Sequence, residues 1–218
     1  MTTDYRLQTT DRDDDLRIII PTAYWGPVQQ YAWMNRADKV WVEQHEHYVK
    51  QTYRNRCIIA ASDGPLALTV PIIKPEYDKC PMRKIRISDH GKWRHLHWQA
   101  LTSAYKNSPF FEYYEDDIRP FYTERWEFLM DYNEAINNKV CELLDLEVNT
   151  ERTAQFVTDT TGKTDLRTVI SPKAKDTDPW FTPTPYYQVF KERFGFLPNL
   201  SIADLLFNMG PEGILWLK

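Results

Sequence analysis

Hydrophobic positions along this chain follow two rhythms. Residues 16–20 form a short aliphatic run rich in β-branched side chains, broken only by Arg17, the pattern of a buried strand, and Pro21 stops it. Residues 22–27 lead into a helical pattern reaching Trp33 or Arg36, with Pro27 placed in the first turn, where its missing N–H costs nothing. Val40 and Val42 then alternate with Trp41 and Glu43 as a second strand. The opening therefore reads as strand, helix, strand, a right-handed parallel crossover. Residues 52–61 and 66–73 predict two more strands, and Asp63-Gly64-Pro65 between them predicts an antiparallel hairpin. Residues 84–88 add a short strand.

Beyond this point the period lengthens to that of helices. Trp93, Leu96, His97, Ala100, Leu101, Ala104 and Tyr105 recur at spacings of three and four, with Ser88 or Asp89 available as a cap. A second helix is predicted over residues 112–121, on either side of a break at Pro120, and the clearest one over 126–144. Residues 158–185 read as a long surface excursion. A last helix spans 202–209, with Ser201 three residues before Asp204 as a capping-box variant and Asn208 with Gly210 as its C-terminal stop. The fold class is mixed α/β: an N-terminal strand-helix-strand unit with an antiparallel hairpin, followed by a mainly helical C-terminal half packed on it. Residues 1–15 are expected to form a poorly ordered acidic tail, and 16–218 one domain.

Composition narrows the function classes. The 218 residues carry 27 Lys plus Arg against 31 Asp plus Glu, a net charge of −4, which argues against a nucleic-acid partner. The seven glycines are spaced too widely to write a dinucleotide fingerprint or a phosphate-binding P-loop, and no nucleophile elbow, zincin helix or kinase signature is present. Three cysteines, an odd number without close spacing, suit a reducing compartment. With no secretory pattern and no apolar run of membrane-spanning length, no membrane span is expected and cytoplasmic residence is the default.

Candidate chemistry concentrates in a few places. Lys50, Arg54 and Arg56 lie at even separations, so on an extended strand all three would project from one face and could bind an anion, with Tyr48 and Tyr53 lowering the local dielectric. The bland alternative is a solvated face. His45 and His47, like His95 and His97, invite a metal hypothesis, but two positions apart on a helix diverge by about 200°, and His97 falls on an apolar face beside Trp93 and Leu101. No metal site is assigned and no cofactor is named. Proton transfer would need a displaced carboxylate or imidazole, for which Glu43, His45, His47, His97 and Asp204 are candidates. Cys141 reads as a buried structural thiol, and Cys57 has the more electropositive setting.

The order of several segments resembles the WbqC-like family of bacterial proteins associated with surface polysaccharide gene clusters. The carriers are Lys50-Gln-Thr-Tyr-Arg-Asn-Arg56, Leu68-Thr-Val-Pro-Ile72, Trp93 with His97, Tyr105 before Ser108-Pro-Phe-Phe111, and the stretch from Leu200 to Gly210. Thr22-Ala23 stands where the family has Gln-Pro, and Gln44 and His45 replace its acidic residues. The resemblance implies a role in surface-polymer assembly. The residues themselves suggest a transferase acting on a phosphorylated or activated donor, a nucleotide sugar or acyl thioester. Lys50, Arg54 and Arg56 would hold the leaving group, Asn55 would orient it, and Tyr24 and Trp25 would wall the site together with Tyr53 and Trp93. His97 or Asp204 would move the proton. The rival reading is a non-catalytic protein that binds a glycan or partner through the same residues.

Overall fold

The computed structural model describes residues 15–174 and 178–218. Strand β1 (Arg17–Pro21) and strand β2 (Lys39–Glu43) pair in parallel, joined by helix α1 (Val28–Arg36), as the alternation predicts. Ile18 lies opposite Val40 and Ile20 opposite Val42. Because side chains alternate across a strand, these four share one face of the sheet, while Ile19, Trp41 and Glu43 take the other.

Four later strands follow in the chain. β3 (Arg56–Ala61) and β4 (Gly64–Thr69) form the expected antiparallel hairpin, whereas β5 (Thr150–Arg152) and β6 (Thr164–Asp165) were not legible. β5 adds in parallel beside β2, and β6 in parallel beside β1, giving the order β5-β2-β1-β6. The stretch 158–185 is thus not purely an excursion. It contains β6, and Leu166 and Ile170 after it are buried in the core.

The hairpin is shorter than predicted. Ala61 pairs with Gly64, so the turn is Ser62-Asp63, and Gly64 at φ +111 follows it. Residues 52–55 are turns rather than strand: the Thr52 hydroxyl donates to the Val49 carbonyl at 2.8 Å, and the Asn55 side-chain amide donates to the Val70 carbonyl at 2.9 Å. These side-chain bonds compete with a ladder and bend the chain before β3 begins. Residues 84–88 also make no regular strand, only isolated bridges of Ile87 to Ile72 and of Arg86 to Phe128.

The helices are α2 (Trp93–Tyr105), α3 (Phe111–Ile118), α4 (Pro120–Thr123), α5 (Leu129–Leu143), α6 (Lys191–Phe194) and α7 (Ile202–Met209). On α2 the predicted face is buried at Trp93, His97, Leu101, Ala104 and Tyr105, but Leu96 is 56% exposed. The Ser88 hydroxyl accepts from the His90 N–H one short turn before α2, which itself starts after Lys92 in a left-handed conformation. Ser201 caps α7 by accepting from the Ala203 N–H at 3.2 Å. Asp204 does not return to Ser201, so no capping box forms, and its side chain turns inward instead. The helix stops at Gly210, where φ is +57 and a Cβ would stand 2.5 Å from the Phe110 ring, a position open to glycine alone.

Buried apolar side chains from Ile18 to Leu217 form one connected core. Of the acidic segment 1–15, residues 1–14 lie outside the described residues, and Asp15 accepts a hydrogen bond from Arg17 at 2.7 Å. No helix among the described residues is long and apolar enough to cross a membrane.

Candidate functional site

All four strands of the larger sheet run the same way, so their carboxyl ends form one rim, carrying Pro21, Glu43, Arg152 and Asp165 and the loops that follow. Ligands of open parallel sheets settle at such a rim, where neighbouring connections run to opposite sides; here the chain leaves β1 towards β2, while β6 on the other side of β1 is entered from β5.

Ionisable groups gather on it. Glu43 is fully buried, and each of its hydrogen-bond capacities is used: Oε1 accepts from the His45 N–H and the Thr153 hydroxyl, Oε2 from the Val157 N–H and Arg167. Arg167 also grips Asp165 through two hydrogen bonds, at 2.8 and 2.6 Å. Burial works to raise the Asp165 carboxyl, but the bonds and charge of Arg167 outweigh it and hold the group below the usual range. Glu46 pairs with Arg54 through two bonds, at 2.7 and 2.5 Å, with both side chains nearly inaccessible. Here burial wins over the guanidinium, and Glu46 is raised.

The expected anion face is dispersed by the turn at 52–55. Arg54 is committed to Glu46; Arg56 is half-buried with its Nε donating to the Thr69 hydroxyl at 2.9 Å; Lys50 is exposed. Arg54 and Arg56 still flank Tyr48, whose hydroxyl burial raises. Lys173 reaches the same turn, donating to the Gln51 side chain at 2.8 Å. Among the described residues none of Lys50, Arg56 and Lys173 has a carboxylate partner. Asn55 is buried and holds the hairpin rather than facing solvent.

Tyr24, Trp25, Tyr53 and Trp93 do not line an open wall, for all four are buried. Tyr24 and Trp25 instead anchor a chain of polar contacts inside the core. The Trp25 indole N–H donates to the Tyr122 hydroxyl at 2.8 Å, the Tyr122 and Tyr24 hydroxyls are 3.0 Å apart, and Tyr24 lies 2.9 Å from Nδ1 of His97. His97 makes a further hydrogen bond to the Thr69 backbone. The Thr69 backbone accepts from one ring nitrogen of His97, which leaves Nδ1 of the neutral imidazole to accept from Tyr24; Tyr24, its one proton used, then accepts from Tyr122, which in turn accepts from Trp25.

Burial depresses His97 to about 4 from its ordinary 6.5. The unfolded chain therefore takes up the proton first, and stability complete above pH 6.5 is lost as pH falls towards 4. The integrated loss is about 3 kcal/mol. Urea titrations of the protein and of His97→Asn at pH 7 and pH 4.5 should show the native protein losing more of its stability than the variant. Parallel losses would mean that His97 does not titrate in this way.

Asp204 lies elsewhere, fully buried. It accepts from Tyr105 at 2.9 Å, Tyr186 at 2.7 Å and the Gln188 amide at 2.8 Å. Burial raises it despite these donors. Both His97 and Asp204 are thus engaged by partners inside the core.

His45 sits in a bend, its Nε2 3.1 Å from the Thr153 carbonyl, and His47 is exposed in an isolated bridge, so the pair does not share a strand face. His95 is exposed and diverges from buried His97. Among the described residues no three His, Cys, Asp or Glu side chains stand together as a metal site. Cys57 and Cys80 are buried and Cys141 half-buried, all unbridged. Burial raises Cys57, and Cys141 is pushed up to about 12. Sequence reasoning missed Glu46, Arg167, Asp165 and Thr153. Asp165 ends β6, Thr153 and Arg167 closely follow β5 and β6, and Glu46 lies in the loop after β2.

Residues 24–184 match the family model described as the WbqC-like protein family. A protein of Mycobacterium tuberculosis, described as uncharacterized protein Rv1507c, is 27% identical over 197 residues, covering 78% of this chain and 84% of that one. No solved structure matches.

Proposed function

From the premise that the chain belongs to the WbqC-like protein family, we propose that it is a transferase of surface-polysaccharide assembly, acting on an activated, phosphate-bearing donor at the carboxyl rim of the parallel sheet. The observation that carries this reading is the turn from Tyr48 to Arg56. There Arg56 lies beside Tyr48 and Lys173 donates to Gln51, and among the described residues neither of them nor Lys50 has a carboxylate partner, while Arg54 is held by Glu46. Cations left unpaired beside a half-buried aromatic suit a diphosphate, because the apolar neighbour strengthens each charge contact.

In this reading Arg56 and Lys173 neutralise the leaving group and Lys50 steers it in. Tyr24, Trp25, Tyr53 and Trp93 support the site from the core. His97 and Asp204, both held by partners inside the core, support the site in the same way, and the Glu46–Arg54 pair fixes the turn beneath it. A glycan acceptor would approach the same rim.

A thermal-shift series with uridine diphosphate, nucleotide sugars and acyl thioesters tests this. A phosphorylated donor at 100 times its Kd should stabilise by about 2.7 kcal/mol, and Arg56→Ala should lose most of the shift. Absence of a shift with every phosphorylated compound, alongside a shift with a free glycan, would favour the non-catalytic reading.

A further inference from the structure

Charge is unevenly spread over this acidic chain. Between Ile73 and Arg86 stand five Lys or Arg against two acids, Glu76 and Asp78, a local charge of +3 in a chain of net charge −4. The ends of this segment are held by backbone bonds. The Ile73 N–H donates to the Arg86 carbonyl at 2.9 Å, the Ser88 N–H to the Pro71 carbonyl at 2.9 Å, and the Ile87 N–H to the Glu127 carbonyl at 2.9 Å. Three extended stretches, 71–73, 85–88 and 127–129, therefore lie side by side, and a groove of ≈ 420 Å³ is lined by all three and by the loop 74–80.

Of its apolar lining, Ile85 is buried and Phe128 half-buried, whereas Ile73 and Tyr77 stand 52% and 51% exposed. Lys74 and Lys84 line it too, both exposed, and among the described residues neither has a carboxylate partner. Arg86 is shared between Glu127, at 2.5 Å, and the Phe128 ring, 5.5 Å from its centroid. Glu76 is an acid in the same lining, outnumbered by these cations.

We propose that this face docks on an anionic lipid surface, with Ile73 and Tyr77 entering the head-group layer and Lys74 and Lys84 meeting lipid phosphates. Exposed apolar side chains between unneutralised cations suit that boundary, where apolar groups leave water while each ammonium stays beside a phosphate, and tyrosine is amphipathic enough to sit at head-group depth. Lys79 and Arg83, exposed on the same connection, add to the attracting field. Exposure alone does not choose the face. Tyr113 is 78% exposed, but on α3 beside Glu112, Glu115 and Asp116, which an anionic surface repels. The Tyr48 N–H donates to the Cys80 carbonyl at 3.0 Å and the Met82 N–H to the Glu46 carbonyl at 2.9 Å, so docking here brings the turn that carries Arg54 and Arg56 close to the lipid. Neither the groove nor its charge depends on the transferase reading.

The full chain is floated with vesicles of phosphatidylglycerol mixed with phosphatidylcholine, with vesicles of phosphatidylcholine alone, and with the mixed vesicles at about 1 M salt, where screening shortens to about 3 Å. It should rise with the mixed vesicles at low salt and stay behind in the other two arms. Lys74→Gln combined with Lys84→Gln should weaken binding by about tenfold or more, and Ile73→Ser combined with Tyr77→Ser should weaken it several-fold. These positions are all exposed, so both variants should melt with the native protein, which separates lost docking from lost folding. Tyr113→Ser should bind as the native protein does. Equal binding to phosphatidylcholine alone, no binding to the mixed vesicles at low salt, or an equal loss in Tyr113→Ser would overturn the proposal. So would a loss confined to the lysine pair, which would mark the face as one for acidic proteins or free phosphates rather than for lipid.

Discussion

Asp204→Ala should destabilise the protein by about 3–5 kcal/mol, the range for removing one member of a fully buried polar network. The carboxylate gathers Tyr105, Tyr186 and Gln188 from α2 and the segment before α6 onto α7. Without it, two hydroxyls are left in the core with nothing to accept their protons, and the Gln188 amide keeps only the Leu197 carbonyl. For a chain of this length the midpoint should fall by roughly 10 °C. Asp204→Asn keeps one acceptor oxygen and should lie between. A variant melting within a degree of the native protein would show that Asp204 is not a structural hub, and would return it to the candidates for proton transfer.

Arg54→Ala should be of similar size, about 3–5 kcal/mol, because it strands the Glu46 carboxylate inside the protein. Arg56→Ala, two residues away, removes one bond to the Thr69 hydroxyl at a half-buried position and should cost about 1 kcal/mol. If the three cations shared one strand face as the spacing suggests, the two substitutions would be nearly equal. A double-mutant cycle separates the cases: Arg54→Ala with Glu46→Ala should cost well below the sum of the singles, since each single leaves a buried charge that the double removes. Additive costs would contradict the buried pair.

Local pattern carried much of the fold. Val40 and Val42 announced β2, the paired period of Trp93, His97 and Leu101 announced α2, and Ser201 marked the start of α7. What escaped depends on distant partners. Thr150-Glu-Arg152 and Thr164-Asp165 have no apolar alternation and become strands only because β2 and β1 offer free edges. Leu96 fits the helical stripe of α2 yet faces solvent, because no other element packs over that part of the helix.

The site was less legible for a related reason. Even spacing in Lys50, Arg54 and Arg56 has meaning only on a strand, and the side-chain bonds of Thr52 and Asn55 bend the chain there instead. Asn133 is buried although its polar side chain suggests solvent, and its amide holds the Arg54 carbonyl and the Thr22 hydroxyl. One signal was available: Asn133 stands among Leu129, Met130, Tyr132 and Ile136, within the apolar stripe, where an amide needs a partner.

The claim on which the account turns is that ligands bind at the carboxyl rim of the parallel sheet, and nitrogen-15 NMR reads it directly. Uridine diphosphate should move the backbone amides of residues 48–56. Shifts confined to another surface, such as the groove between Ile73 and Phe128, with the rim silent, would contradict it.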